Sequence, residues 1–178
     1  KSGAAKGGTG RPCRCSRTSC WRAPPAEGSQ RGMAVQVEFH TGVDDELGFA
    51  CRLLRKAYHK GARVLVRAPS ARLAQLDREL WTFAEREFLP HLRVPAAGQL
   101  PPLAARTPIW LVDGEPPAGC PPVLVNLGAA MSTSLQGLQR VIEIVGTDPD
   151  EAQRGRARWK AYKAQGLDVT HHGAGAGA

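Results

Sequence analysis

Between Val35 and Leu80 the spacing of apolar residues switches from period two to period 3.6 and back, and this alternation constrains the fold more than any other feature of the chain. Val35, Val37 and Phe39 alternate with Gln36, Glu38 and His40, as in a strand with one buried face. A turn is expected at Thr41–Gly42. Asp44, Asp45 and Glu46 then supply acids suited to the positive end of a helix. Leu47, Ala50, Cys51, Leu54, Ala57 and Tyr58 recur at helical spacing until Lys60 and Gly61 signal the stop. Arg63–Arg67 is a short strand-type run, and Ser70 is expected to cap a second helix whose inward stripe is Leu73, Leu76 and Leu80. A β-α-β-α order needs crossover connections, which implies a largely parallel sheet flanked by helices.

Further along, residues 93–107 are rich in Pro, Gly and Ala and read as a loop. Strand character returns in Ile109–Val112, Val123–Leu127 and Val141–Val145. The last helix is the best marked: Asp148 as N-cap, Pro149 at the first position, Asp150 and Glu151 in the first turn, Gly166 as the stop. The run from His171 into the Gly-Ala repeat is low in complexity and is expected to be mobile. A chain of 178 residues fits a single α/β domain, here 33–172, with a basic extension over 1–32 and a flexible tail over 173–178.

The net charge of +8 is unevenly placed. Residues 1–32 hold seven Lys/Arg against one acid, Glu27, whereas the remainder carries seventeen bases against fifteen acids. The extension has no apolar period with which to offset its ordering entropy and is expected to be disordered. A natural start at Met33 would account for it. Cys13, Cys15 and Cys20 lie in the extension without a second ligand pair, and five cysteines do not make a disulfide framework. A reduced, cytoplasmic protein is the simplest reading, and no stretch reaches the ~20 apolar residues of a membrane span.

Familiar catalytic patterns are missing. The turn after the first strand, Thr41-Gly42-Val43-Asp44-Asp45, has no G-x-G-x-x-G and puts carboxylates where a phosphate needs amides. No Walker lysine motif or G-x-S-x-G elbow occurs, and His40, His59 and His91 stand singly. These observations argue against a nucleotide-dependent enzyme and imply no cofactor and no metal.

The constellation that stands out is on the last helix. Arg154, Arg156, Arg158, Lys160 and Lys163 occur with Trp159 and Tyr162 interleaved, and no acid falls between Ala152 and Leu167. Arg156, Trp159, Lys160 and Lys163 share one stripe at i, i+3, i+4 and i+7. Single-stranded nucleic acid suits such a surface, with bases stacked and phosphates paired. So does an acidic peptide ending in an aromatic residue. An ordinary amphipathic helix, with Trp159 or Tyr162 in the core and the bases solvated, is the third reading. A second cluster, Leu80–His91, places Trp81, Phe83 and Phe88 around a helix end. Trp81 and Phe88 are either core or an exposed patch awaiting a partner.

Three patterns in order, Lys60-Gly61-x-Arg63-Val64-Leu65-Val66, Leu76-Asp77-x-x-Leu80-Trp81 with Phe88-Leu89-Pro90-His91, and Arg156-x-x-Trp159-Lys160-x-Tyr162-x-x-x-Gly166, together resemble the chi subunit of the bacterial DNA polymerase III clamp loader. The resemblance covers Met33 to His172. It implies a Rossmann-like fold without nucleotide binding and a non-catalytic subunit, a monomer within a hetero-complex. That subunit links the clamp loader, commonly through the small psi subunit, to single-stranded DNA-binding protein. The C-terminal helix would receive that protein's acidic tail, which ends in proline and phenylalanine, so association with single-stranded DNA would be indirect. By position, Arg156 and Lys160 would pair with carboxylates, and Trp159 and Gly166 would shape the contact for the terminal ring. Ala152 stands where some relatives have lysine, a loss for which Arg154 or Lys163 would compensate. The psi-contacting surface would map to Trp81, Phe88, Pro90 and Leu92. A direct single-stranded nucleic-acid binder is the competing reading, weakened by the near-neutral body.

Overall fold

The structure, a computed structural model, describes residues 35–95 and 99–173. The expectations for 1–32 and for 174–178 therefore lie outside the described residues. Among those described, seven strands form: β1 (Gln36–Val43), β2 (Val64–Arg67), β3 (His91–Val94), β4 (Ile109–Val112), β5 (Val123–Leu127), β6 (Arg140–Gly146) and β7 (Asp168–Gly173). Three α-helices accompany them, α1 (Glu46–His59), α2 (Ser70–Thr82) and α3 (Pro149–Ala164), with a short 3-10 turn at Pro102–Ala105. The strands order as β3-β4-β2-β5-β6-β1-β7, and every neighbouring pair is parallel. This is the Rossmann-like α/β sheet that the alternating periods imply.

Local chemistry sets the element ends. The Asp45 carboxylate accepts a hydrogen bond from the Gly48 amide at 2.9 Å and starts α1. Asp148 accepts from the amides of Asp150 and Glu151, both at 3.0 Å, and Pro149 follows at the first helical position of α3. Gly166, with φ of 74°, takes the left-handed turn that releases the chain into β7.

Because side chains alternate across a strand, the sheet has two distinct faces. On one, α1 and α2 bury Ala50, Cys51, Leu54, Leu73, Leu76 and Leu80 against Val64, Val66, Ile109, Leu111, Ile142 and Ile144. Each fully buried leucine contributes roughly 1.5–3 kcal/mol of transfer free energy. The opposite face carries α3 and the connection through Ala104, packed on Val37, Phe39, Leu65, Trp110, Leu124 and Val141.

Several local expectations differ from the structure. The segment 93–107 is not simply a loop: β3 ends at Val94 and the 3-10 turn occupies Pro102–Ala105. These elements escape the apolar pattern because β3 is an edge strand of four residues with only Val94 buried. The turn expected at Thr41–Gly42 is a bulge inside β1, which continues to Val43. Pro69, not Ser70, is the residue before α2, and no side chain caps that helix. His171, His172 and Gly173 are not the start of a mobile run but the second half of β7, paired with Phe39, His40 and Thr41.

Candidate functional site

Helix α3 lacks the leucine stripe of the other two helices and is fixed to the sheet by polar contacts. Register places Arg67, Asn126 and Glu143 side by side on β2, β5 and β6, facing α3. Glu143 is fully buried. Its carboxylate accepts from Arg158 Nε at 2.9 Å, from the Tyr162 hydroxyl at 2.9 Å and from Asn126 Nδ2 at 2.9 Å. Asn126 is itself held by the Ala129 backbone, and Arg67 donates to Glu115 and to the Ala130 carbonyl. Burial, followed by the adjacent Glu143 charge, pushes the Tyr162 hydroxyl well above its ordinary value, so it stays a donor. Gly155 lets the helix approach the sheet closely, for a Cβ there would stand 3.0 Å from both methyls of Val145. Arg158 thus leaves the basic surface set and serves as the anchor of the helix.

With Arg158 and Tyr162 turned inward, the neighbouring face of α3 forms one wall of a groove of about 790 Å³. Ala152, Gly155, Arg156, Trp159 and Lys160 line it from the helix. Phe39, Thr41 and Gly42 of β1, Val145–Thr147 after β6, and His171 of β7 complete it. Trp159 is half-buried and rests edge-on, at 5.1 Å, against the buried Phe39 ring, which supports the indole in the groove wall. Arg156 and Lys160 are exposed at its rim, and among the described residues no carboxylate lines it. Lys163 lies just outside, its ammonium 5.8 Å from the Trp159 ring centroid. Gly166 is at the helix end and not among the lining residues. Three of the five tail-binding residues expected from the sequence are therefore brought together, a fourth touches one of them, and the fifth stands apart.

The carboxyl ends of the central strands, where open parallel sheets usually take a ligand, are occupied by the chain's own charges. The first turns of α1, α2 and α3 converge there. Arg72 of α2 hydrogen-bonds Glu46 of α1 and pairs with Glu151 of α3 at 2.8 Å. Burial raises the Glu46 carboxyl above its ordinary value, countered in part by Arg72 and reinforced by Glu151. A Cβ at Gly146 would stand 2.1 Å from a Glu46 oxygen, so that crevice is filled. Two carboxylates at three helix N-termini are the opposite of a phosphate cradle, and the residues present do not fit a nucleotide. No group of three or more His, Cys, Asp or Glu among the described residues is arranged to hold a metal. No helix among them is long and apolar enough to cross a membrane.

A second feature lies where α2 ends. Trp81 and Phe88 are 60% and 59% exposed, with ring centroids 5.2 Å apart, so they form a surface patch and not core. His91 supports Trp81 from beneath, edge to face at 5.2 Å, and Pro90 is half-buried beside it in sequence. The connection carrying Phe88 is braced by Glu87, which accepts from Arg55 at 2.7 and 2.6 Å. Leu92 does not join this patch. It points to the opposite face and packs into the cluster around Trp110.

Sequence reasoning missed the sheet side of the groove. Phe39 read as an ordinary core position, and His171 belonged to a run with no periodic signal; only the pairing of β7 with β1 brings both under Trp159.

Fold and groove together define an open-sheet α/β protein that carries a cationic groove walled by an indole and has no nucleotide cradle among the described residues. Residues 34–170 match the model of the DNA polymerase III chi subunit (HolC) family, and the chain belongs to that family. The DNA polymerase III subunit chi of Pseudomonas aeruginosa is 32% identical over 127 residues, 71% of this chain and 84% of that protein. The subunit chi of Haemophilus influenzae is 28% identical over 130 residues, 71% and 85% of the respective chains.

Proposed function

We propose that this protein is a non-catalytic accessory subunit of the DNA polymerase III clamp-loader complex that bridges it to single-stranded DNA-binding protein by holding that protein's acidic C-terminal tail. Membership of the chi family supports the first part. The observation that carries the second is a groove with no carboxylate among its described lining residues: Arg156 and Lys160 at the rim meet carboxylates while Trp159, backed by the buried Phe39, receives the terminal ring. Charge-assisted contacts of this kind contribute roughly 1.5–3 kcal/mol where they are desolvated. Arg156, Trp159 and Lys160 are the primary contacts, and Lys163 adds charge from outside the groove. Gly166 acts only through the helix end. The exposed pair Trp81 and Phe88, with Pro90, is the docking surface for psi or another clamp-loader subunit. Leu92 supports that region from the other face.

Calorimetric titration with an acidic peptide ending in proline and phenylalanine tests the tail reading. Lys160→Ala and Arg156→Ala are each expected to weaken binding roughly tenfold, about 1.4 kcal/mol. Removing the last phenylalanine of the peptide should weaken it at least as much. Unchanged affinity for the shortened peptide would overturn the proposal. Tight, salt-sensitive oligonucleotide binding by the protein alone would favour direct nucleic-acid recognition instead.

A further inference from the structure

Among the lining residues outside the cationic rim and the aromatic pair, only His171 carries a ring. His171 belongs to β7, opposite Phe39 of β1, and strand alternation aims its side chain at α3 and His172 at the other face. Its Nε2 lies 2.7 Å from Thr41 Oγ1, and its ring meets Trp159 edge-on at 6.0 Å. The imidazole is thus held by two groove residues while remaining exposed to the groove.

Among the described residues, the charged groups that share the groove or the strand row of His171 are few. From α3 come Arg156 and Lys160 in the groove and Lys163 over the Trp159 ring. From β1 come only Thr41 and Phe39, neither of which titrates. On β6 the carboxylate of the same row, Glu143, is committed to Arg158, Tyr162 and Asn126. Asp168 and His172 on β7 itself point to the other face of the sheet, where His172 stacks on His40 at 4.9 Å. His171 thus shares a groove with Arg156 and Lys160 and, among the described residues, with no carboxylate, and an acidic peptide would bring carboxylates into it.

Resting on the tail-binding reading, we infer that the His171 imidazole is a third anion-contacting group of the groove, and that it takes up a proton when an acidic peptide binds. Opposite charge within a few ångströms favours the charged form of a histidine, and like charge disfavours it, so peptide and proton bind cooperatively. Thr41 fixes the ring so that its other nitrogen is free for a carboxylate.

The test uses the full chain and the acidic peptide ending in proline and phenylalanine, titrated at pH 8 and pH 6 in two buffers of different ionisation enthalpy. The wild type is expected to bind roughly two- to fivefold more tightly at pH 6, the range of one partly solvated charge pair. It should also show proton uptake. His171→Gln should lose both the pH dependence and the uptake, and His172→Gln, on the other face of the sheet, should retain both. Thr41→Val, which frees the ring without removing it, should reduce the pH dependence and provides a second readout if His171→Gln does not fold. Proton uptake that survives in His171→Gln, or its absence in a wild type that binds, overturns the inference and leaves the tail reading standing. A wild type that binds at neither pH removes both.

Discussion

On one face of the sheet α1 and α2 are held by leucines; on the other, α3 is held by a carboxylate, a guanidinium and a phenol around Glu143. Leucine contacts are non-directional and tolerate small shifts of a helix. The polar contacts restrict both the height and the rotation of α3, because a hydrogen bond weakens steeply away from its preferred distance and angle. The helix given the directional attachment is the one that brings Arg156, Trp159 and Lys160 together on the groove wall. A buried ion pair is weak support for stability in general, and here its consequence is position.

The largest effect should come from breaking the polar attachment. Glu143→Ala leaves Arg158 buried without its partner and should lower stability by about 3–5 kcal/mol in urea unfolding. It should abolish peptide binding as well. Leu76→Ala, on the leucine face, is expected to cost about 3 kcal/mol through the cavity it leaves. It should leave peptide affinity unchanged, and a parallel loss of binding would show that the faces are not independent. Gly155→Val should cost about 1–3 kcal/mol by forcing α3 away from Val145, with weaker peptide binding at a temperature where the variant is still folded.

Smaller effects concern charge. The Glu46 carboxyl is raised by burial in the folded state, so its ionised form costs the fold stability at neutral pH and the cost is relieved as pH falls toward its unfolded value. Glu46→Gln should therefore change stability at pH 7 by under about 1 kcal/mol, because Arg72 keeps Glu151. Relative to that variant, the wild type should gain on going from pH 7 to pH 5 in denaturant titrations. Glu87 behaves oppositely. The Arg55 hydrogen bonds hold its carboxyl down at about 2, so its contribution is present above the ordinary carboxylate value and is lost as pH falls toward 2. The gap between wild type and Glu87→Gln should narrow over that window, and it should be the smallest of these effects.

Much of the leucine face is legible in the sequence, because Leu73, Leu76 and Leu80 repeat at helical spacing and α1 carries a capping acid and a glycine stop. The α3 boundaries are equally legible from Asp148, Pro149 and Gly166. What α3 does with its side chains is not. Arg158 looks like one more surface base until Glu143, fifteen residues earlier on β6, is seen opposite it. Glu143 in turn looks like the polar position of an ordinary strand. Half of the groove was readable as the stripe Arg156, Trp159 and Lys160, which needs only helical periodicity. The half formed by Phe39, Thr41 and His171 depends on two parallel pairings more than a hundred residues apart in sequence, and no local pattern records them.

That long-range pairing has a bearing on biosynthesis. The groove wall is drawn from the first strand of the fold, from the stretch after β6, from α3 and from the last strand. A polypeptide emerging from the ribosome can close the groove only after residue 171 has been translated and has docked beside β1. Until then a growing chain carries Trp159 without the strand that walls its groove on the β7 side.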